Sequence, residues 1–344
     1  MNRRQMLAAL PLAGLSAHAA LAQPPAAAPP APPRTPPAPM PLADPALPMT
    51  ELASGLLFPE GPVVLKDGSV VFVEIARKTV SKLSKDGKVS VLAQLEGGPN
   101  GLGVGPDGKL YIANDGGRFT FNMRNGINLP GGAPAGFTNG GMIQKLDLRS
   151  GNVETVFDSF DGKKLIAPDD LVFDKQGGMW ITEYGLARNS GAIYYAAKGA
   201  RTLSLARGNI SSPNGIGVSP DGKILQVSMG GQLYGFDITG PGKLETNTYP
   251  NNGLQAPLYN GGGADSLKIQ ADGKVCVCTL SRPGGVSVID KAGKVEFLGF
   301  PDPMTCNLAF GGKDLKDVWI CLSGTGRIVK VRWPSAGQAP AFRA

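Results

Sequence analysis

The chain has 344 residues, a formal net charge of +7, 49 Gly and 30 Pro, and only 18% charged residues. That composition argues against a mainly helical protein and fits an all-β one with many tight turns. The lysines are scattered, and Asp-Gly-Lys alone ends at Lys88, Lys109, Lys163, Lys223 and Lys274, so the positive charge is a solvated surface with no nucleic-acid stripe.

The chain opens "MNRRQMLAALPLAGLSAHAALAQ". A basic start, an apolar run from Met6 to Ala17 and the small-x-small site Ala20-Leu21-Ala22 predict a signal peptide over residues 1–22. The pair Arg3-Arg4 before Met6-Leu7 is Tat-like, and Sec export is the alternative. Either route delivers the protein to the periplasm or outside the cell, with no membrane contact after cleavage. The run is too short, and too broken by Pro11 and Gly14, for a bilayer span. Residues 23–48 are a Pro/Ala-rich linker that cannot pack a core, so residues 49–344 form the folded domain.

That domain repeats one phrase six times. The copies are "PEGPVVLKDGSVVFVEI" from Pro59, "PNGLGVGPDGKLYIAND" from Pro99 and "PDDLVFDKQGGMWITEY" from Pro168. They continue with "PNGIGVSPDGKILQVSM" from Pro213, "ADSLKIQADGKVCVCTL" from Ala264 and "TCNLAFGGKDLKDVWICLS" from Thr305. Each holds an alternating apolar segment, a Gly turn and a second such segment, the signature of a hairpin. A third and a fourth strand-like segment follow most copies, at a spacing of about 45 residues. Four strands in each of six units describe a six-bladed β-propeller. The last copy stops after its third strand, near Trp333, so "MTELASGLLF" from Met49 is expected to supply the missing strand and close the ring.

Counting from the second residue of each copy, positions three and five are almost all apolar, for example Leu102/Val104 and Ile216/Val218. They read as packing between blades. Position one shares their strand face yet is never aliphatic: Glu60, Asn100, Asp169, Asn214, Asp265 and Cys306. The first strand of each propeller blade lines the central channel, so these six should converge on the axis. Three carboxylates and two amides meeting there would repel unless a cation joined them. Oxygen ligands suit a hard ion, Ca²⁺ first, with Mg²⁺, Mn²⁺ or Zn²⁺ as alternatives. The competing reading is that these residues cap strand ends.

A second polar set lies six residues after most of the turn glycines: Glu74, Asn114, Glu183, Ser228 and Thr279. Antiparallel pairing returns it toward the same end, for hydrogen bonding behind the ring, for substrate contact, or as exposed strand ends.

In "FPEGPV", "DGKKLIAPDDLVFDKQGGMWITEYG", "PNGIGVSPDGK", "ADSLKIQADGK" and "TCNLAFGG" the chain resembles the senescence-marker-protein, gluconolactonase and luciferin-regenerating-enzyme family across residues 51–333. The resemblance implies six blades, one divalent cation on the axis, usually Ca²⁺, and hydrolysis of lactones or, in relatives, organophosphates. It also implies Glu60, Asp169, Asn214 and Asp265 as the metal ligands. Many members have Asn where this chain has Asp169, which adds a negative charge. The usual Pro-Asp-Gly around the last ligand is here Ala264-Asp265-Ser266.

The single His, His18, lies within the signal peptide, so Ser-His-Asp and Cys-His catalysis and a His-bound zinc are excluded from the mature chain. The reading is a metal-dependent hydrolase of a small lactone or ester, monomeric, with the cation polarising the carbonyl. Asp265 is the expected base directing water, with Asp169 or Glu60 as competitors. Asn100, Arg118 and Glu183 are the expected substrate contacts. The Gly116–Gly141 insertion, about 26 residues long, carries Arg118, Phe119, Phe121 and Arg124 and reads as a lid or as a surface loop without a role. A non-catalytic binding platform and a phosphotriesterase or arylesterase are the alternative functions. Cys306 and Cys321 fall about opposite each other, which leaves a disulfide and buried free thiols both open.

Overall fold

Each copy of the repeat folds as the innermost hairpin of a four-stranded antiparallel sheet. The computed structural model describes residues 44–245 and 253–344. The expected signal peptide and most of the Pro/Ala linker lie outside the described residues. The inner strands are Pro59–Val64, Pro99–Val104, Pro168–Phe173, Pro213–Val218, Gly263–Ile269 and Thr305–Gly311, one for each of six blades. The only described helical element is a single 3₁₀ turn, Tyr259–Gly261. Blade six takes its outer strand from the N-terminal end of the domain: Met49–Ala53 pairs antiparallel with Arg327–Arg332, matching Met49 to Val331. The propeller is thus closed as the sequence predicts, and neither end of the ring is left as an unpaired edge.

The twin phrase shows why the hairpins form. In "PDGK" the Asp107 carboxylate accepts the Lys109 N–H at 3.2 Å while Gly108 takes a positive φ of 73°. Asp221 and Gly222 repeat the arrangement with Lys223. Side-chain capping and a glycine free to turn left are what such a tight turn needs.

The core is divided into wedges between neighbouring blades. Ile216, Val218, Leu225 and Val227 of blade four pack with Trp180 and Ile193 of blade three. Leu308, Val318 and Ile320 of blade six pack with Cys278, Val286 and Val288 of blade five. Positions three and five do pack between blades, and they also line the channel away from the acidic ring. There they wall a cavity of about 550 Å³. The C-terminal tail crosses that end. It is held to blade five by Ala271 N–H to Ala336 O at 2.9 Å and Gln338 N–H to Ile269 O at 2.8 Å, and to blade one by Lys66 N–H to Ala344 O at 2.9 Å. Phe342 meets Phe173 edge-on at 6.2 Å.

Candidate metal centre and active site

Every inner strand carries a register shift at its start, between Glu60 and Val63, Pro99 and Leu102, Pro168 and Leu171, Pro213 and Ile216, Ala264 and Leu267, and Thr305 and Asn307. A β-bulge bends a strand and re-aims a side chain. Position one lies inside that irregularity in blades two to six, and in blade one Glu60, paired with Val73, borders it. Glu60, Asp169 and Cys306 are nearly inaccessible, Asn100 is buried, and Asn214 and Asp265 are half-buried.

Contacts between neighbouring blades join these residues. The Asn100 amide donates to Asp169 Oδ2 at 3.3 Å. Glu60 Oε2 accepts the Gly61 N–H at 2.8 Å and the Asn307 amide at 2.7 Å. One oxygen each of Glu60 and Asp265 and the Cys306 sulfur all lie within 4.8 Å of one another. Gly61 has φ +55° and a Cβ there would meet Asn100 O at 2.4 Å, so a glycine lets blades one and two approach beside the ring.

The electrostatics of the ring are those of crowded, dehydrated carboxylates. Burial raises Glu60 well above its ordinary range, and Asp265 raises it further. Asp169 is raised well above its own range by burial and then by Asp265, Asp170, Asp115 and Glu60. Burial pushes Asp265 up to about 7, against hydrogen bonds from Cys306 and Asn214 that pull it down. Each carboxyl therefore favours a proton or a nearby positive charge. A divalent cation fits this donor set. Asn214 Oδ1 is buried with no hydrogen-bond partner among the described residues, which leaves it free to act as one more oxygen donor.

Residues beyond the expected set complete the centre. Asp170 is also buried and raised by burial, opposed chiefly by Lys268. It occupies the repeat position held by glycine in blades one, two and four, and a Cβ on Gly101 would meet Asp170 Oδ1 at 2.4 Å. Three hydroxyls latch one blade to the next behind the ring. Thr182 donates to Asn214 O at 2.6 Å, Ser228 to Asp265 O at 2.5 Å and Ser323 to Pro59 O at 2.6 Å. Only Ser228 had a sequence signal, as a member of the second polar set.

That second set is committed to the protein's own backbone. Asn114 Oδ1 accepts Gly98 N–H at 2.9 Å and Gly116 N–H at 3.0 Å. Glu74 Oε2 accepts Leu57 N–H at 2.8 Å. Glu183, expected to touch substrate, instead takes the N–H groups of Ile166 and Ala167, and burial pushes it up to about 7. Its visible role is to hold the segment entering Asp169.

Arg118 stands beside the ring. Its Nε donates to Gly185 O at 3.2 Å, and its guanidinium lies 4.9 Å over Phe119 and 5.4 Å over Tyr184. Tyr184 is raised by burial and by the Asp169 charge, which places the stack near the carboxylates. Asp115 Oδ1 accepts Gly117 N–H at 2.7 Å and Arg118 N–H at 3.0 Å, fixing the start of the insertion. The insertion itself forms a hairpin, Phe121–Arg124 with Ile127–Pro130. It crosses to blade six, where Asn128 N–H meets Gly324 O at 2.7 Å, and Phe121 packs on Phe58 at 4.9 Å. Its buried Ile127 joins the apolar cluster containing Met304 and Cys306, so the insertion forms a wall at the acidic end of the channel. All four cysteines are free and buried; Cys321 is matched to Asn307 in the ladder, with Cys306 in the bulge.

The family profile described as SMP-30/Gluconolactonase/LRE-like region matches residues 58–324. The chain belongs to that family. It is 26% identical over 332 residues to a gluconolactonase of Zymomonas mobilis, covering 86% of this chain and 84% of that one. A lactonase drp35 of Staphylococcus aureus is 32% identical over 148 residues, 41% of this chain and 44% of the other. Among solved structures, a gluconolactonase of Xanthomonas campestris superposes with a TM-score of 0.67 at 19% identity, covering 86% of this chain and 91% of that one. A calcium-binding regucalcin of Agrobacterium tumefaciens gives 0.65 at 19% identity, over 87% and 98%. At such identities the structures share the fold.

Proposed function

We propose that the protein is an exported lactone hydrolase that depends on a divalent cation, Ca²⁺ in the first place, acting on a small lactone or related ester. The observation that carries this reading is the ring itself. Glu60, Asp169 and Asp265 are crowded until their carboxyls rise together, beside the unpartnered Asn214 Oδ1. Relatives named gluconolactonase and lactonase support the substrate class, and a structural neighbour described as calcium-binding supports the ion. The leader read from the sequence supports export.

Glu60, Asp169, Asn214 and Asp265 would hold the cation, which when bound supplies a Lewis acid for the carbonyl oxygen and the developing oxyanion. Asp265 draws the proton from an attacking water; that proton then passes to the alkoxide released as the ring C–O bond breaks. Asn100 fixes the orientation of Asp169 through its 3.3 Å hydrogen bond. Arg118, stacked over Phe119 and Tyr184, presents a positive group to the carboxylate that ring opening creates.

A panel of lactones and esters assayed with and without chelator tests the reading. Lactone turnover that chelator abolishes and Ca²⁺ restores is the expected result. Turnover indifferent to chelator, or no turnover despite calorimetrically measured Ca²⁺ binding, overturns it; the second result would favour a non-catalytic platform.

A further inference from the structure

Five of the six ring residues offer oxygen, and Cys306 alone offers sulfur. Its Sγ lies within 4.8 Å of ligand oxygens of both Glu60 and Asp265. Two ligands held about 2.0–2.3 Å from one tetrahedral ion are about 3.3–3.8 Å apart, so the trio, already within 4.8 Å, needs to contract by at most about 1.5 Å to share a single ion. The three come from consecutive blades, five, six and one. Asn214, the ring residue of blade four, hydrogen-bonds Asp265 and keeps Oδ1 without a partner among the described residues. Asn214, Asp265, Cys306 and Glu60 thus offer one sulfur and three oxygens on one side of the ring, the number of ligands that a tetrahedral ion takes.

We propose that this side of the ring is a second coordination mode, in which a thiophilic divalent ion such as Zn²⁺ or Cd²⁺ is held through Cys306 in place of the hard ion. The inference rests on the metal-centre reading above and extends it to softer ions. A thiolate is a soft ligand and selects softer ions than carboxylates do. On binding, the S–H bond breaks, its proton passes to solvent and a sulfur–metal bond forms, with no electron transferred. Cys306 donates to Met304 O at 3.3 Å, so the thiol is already held in place. Among the described residues, Cys276, Cys278 and Cys321 share no such group with carboxylates. A thiophilic ion should therefore compete with Ca²⁺ for the ring.

The test uses the full mature chain stripped with chelator. Cd²⁺ titration is followed by thiolate-to-cadmium charge-transfer absorption, and Ca²⁺ binding by calorimetry. The wild type should develop a stoichiometric band and lose bound Ca²⁺ as it grows. Cys306→Ser should lose the band and bind Cd²⁺ at least about tenfold more weakly, while its Ca²⁺ affinity stays within about threefold, which also reports that it folds. Cys278→Ser should keep the band. A band that survives in Cys306→Ser, or Cd²⁺ binding without a band in the wild type, overturns the proposal. A wild type that binds neither ion refutes the metal centre, and this inference with it.

Discussion

The two ends of the central channel are made by the same six inner strands, a few residues apart, and their chemistry is opposite. At one end the starts of the inner strands bring Glu60, Asp169 and Asp265 together with two amides and a thiol, and none of the six ring residues is aliphatic. At the other, residues such as Leu102, Ile216 and Leu267 wall a cavity of about 550 Å³ under the C-terminal tail. The cavity lies away from the expected chemistry, so size alone does not mark the active site. The difference teaches that a repeat can serve packing at most of its positions and chemistry at one, provided the backbone irregularity that aims that position recurs in every blade.

Changes at the two ends should therefore separate rate from stability. The largest effect is expected for Asp265→Asn, which keeps the shape of the side chain and removes the carboxylate proposed above as the base. It should lower lactone turnover by about 10²–10⁴-fold, measured as kcat/KM, and weaken Ca²⁺ in calorimetry. Unchanged turnover and binding would move both roles to Asp169 or Glu60.

Next is the pH response of Glu183, whose folded carboxyl is raised to about 7 by burial. A raised carboxyl contributes stability that is full below its unfolded pKa and is lost as pH climbs through the folded value. A rise from 4.5 to about 7 corresponds to about 3 kcal/mol. Urea denaturation of chelator-treated protein between pH 4.5 and 7 should show stability falling with pH from this group, and Glu183→Gln should flatten that slope. An unaltered slope would mean that other groups carry it.

Removing the cation should cost slightly less. If Ca²⁺ at about a hundred times its Kd binds only the folded state, it stabilises by about 2.7 kcal/mol. Thermal melting should show a lower Tm in chelator, restored by Ca²⁺; equal melting curves would argue against an ion in the ring.

The smallest effect belongs to the far end. Phe342→Ala removes the edge contact with Phe173 from a half-buried side chain and should lower stability by about 1–2 kcal/mol, below the cost at a fully buried Phe. It should leave lactone kcat and KM unchanged, and a drop in kcat would show that the two ends communicate.

The six blades were legible because their code is local: alternating strands joined by Asp-Gly turns whose cap and left-handed glycine need nothing from the rest of the chain. Closure by the strand from Met49 was legible by counting, since blade six lacked one strand. The ring was legible as a register, Glu60 through Cys306, for strand periodicity carries equivalent residues to equivalent places. Asp170 was not, because the repeat offered glycine at its position elsewhere, and only the neighbouring blade shows why Gly101 must be small. Thr182 and Ser323 were invisible as well: a hydroxyl in a strand does not announce which carbonyl of the next blade it will meet. Glu183 looked like a substrate contact from its register alone, yet its oxygens went to two backbone N–H groups close in space and distant in sequence.

What the sequence determined by itself was thus the propeller, its closure and the six residues of the ring, all set by short-range periodicity and turn chemistry. The tertiary structure alone decided which of those residues touch, that Asn214 keeps an unpartnered oxygen, that the insertion docks across to blade six, and that the tail covers the other end. Those outcomes depend on how blades pack side by side, where burial and proximity between distant residues, rather than local propensity, set the charge, the hydrogen bonding and the space.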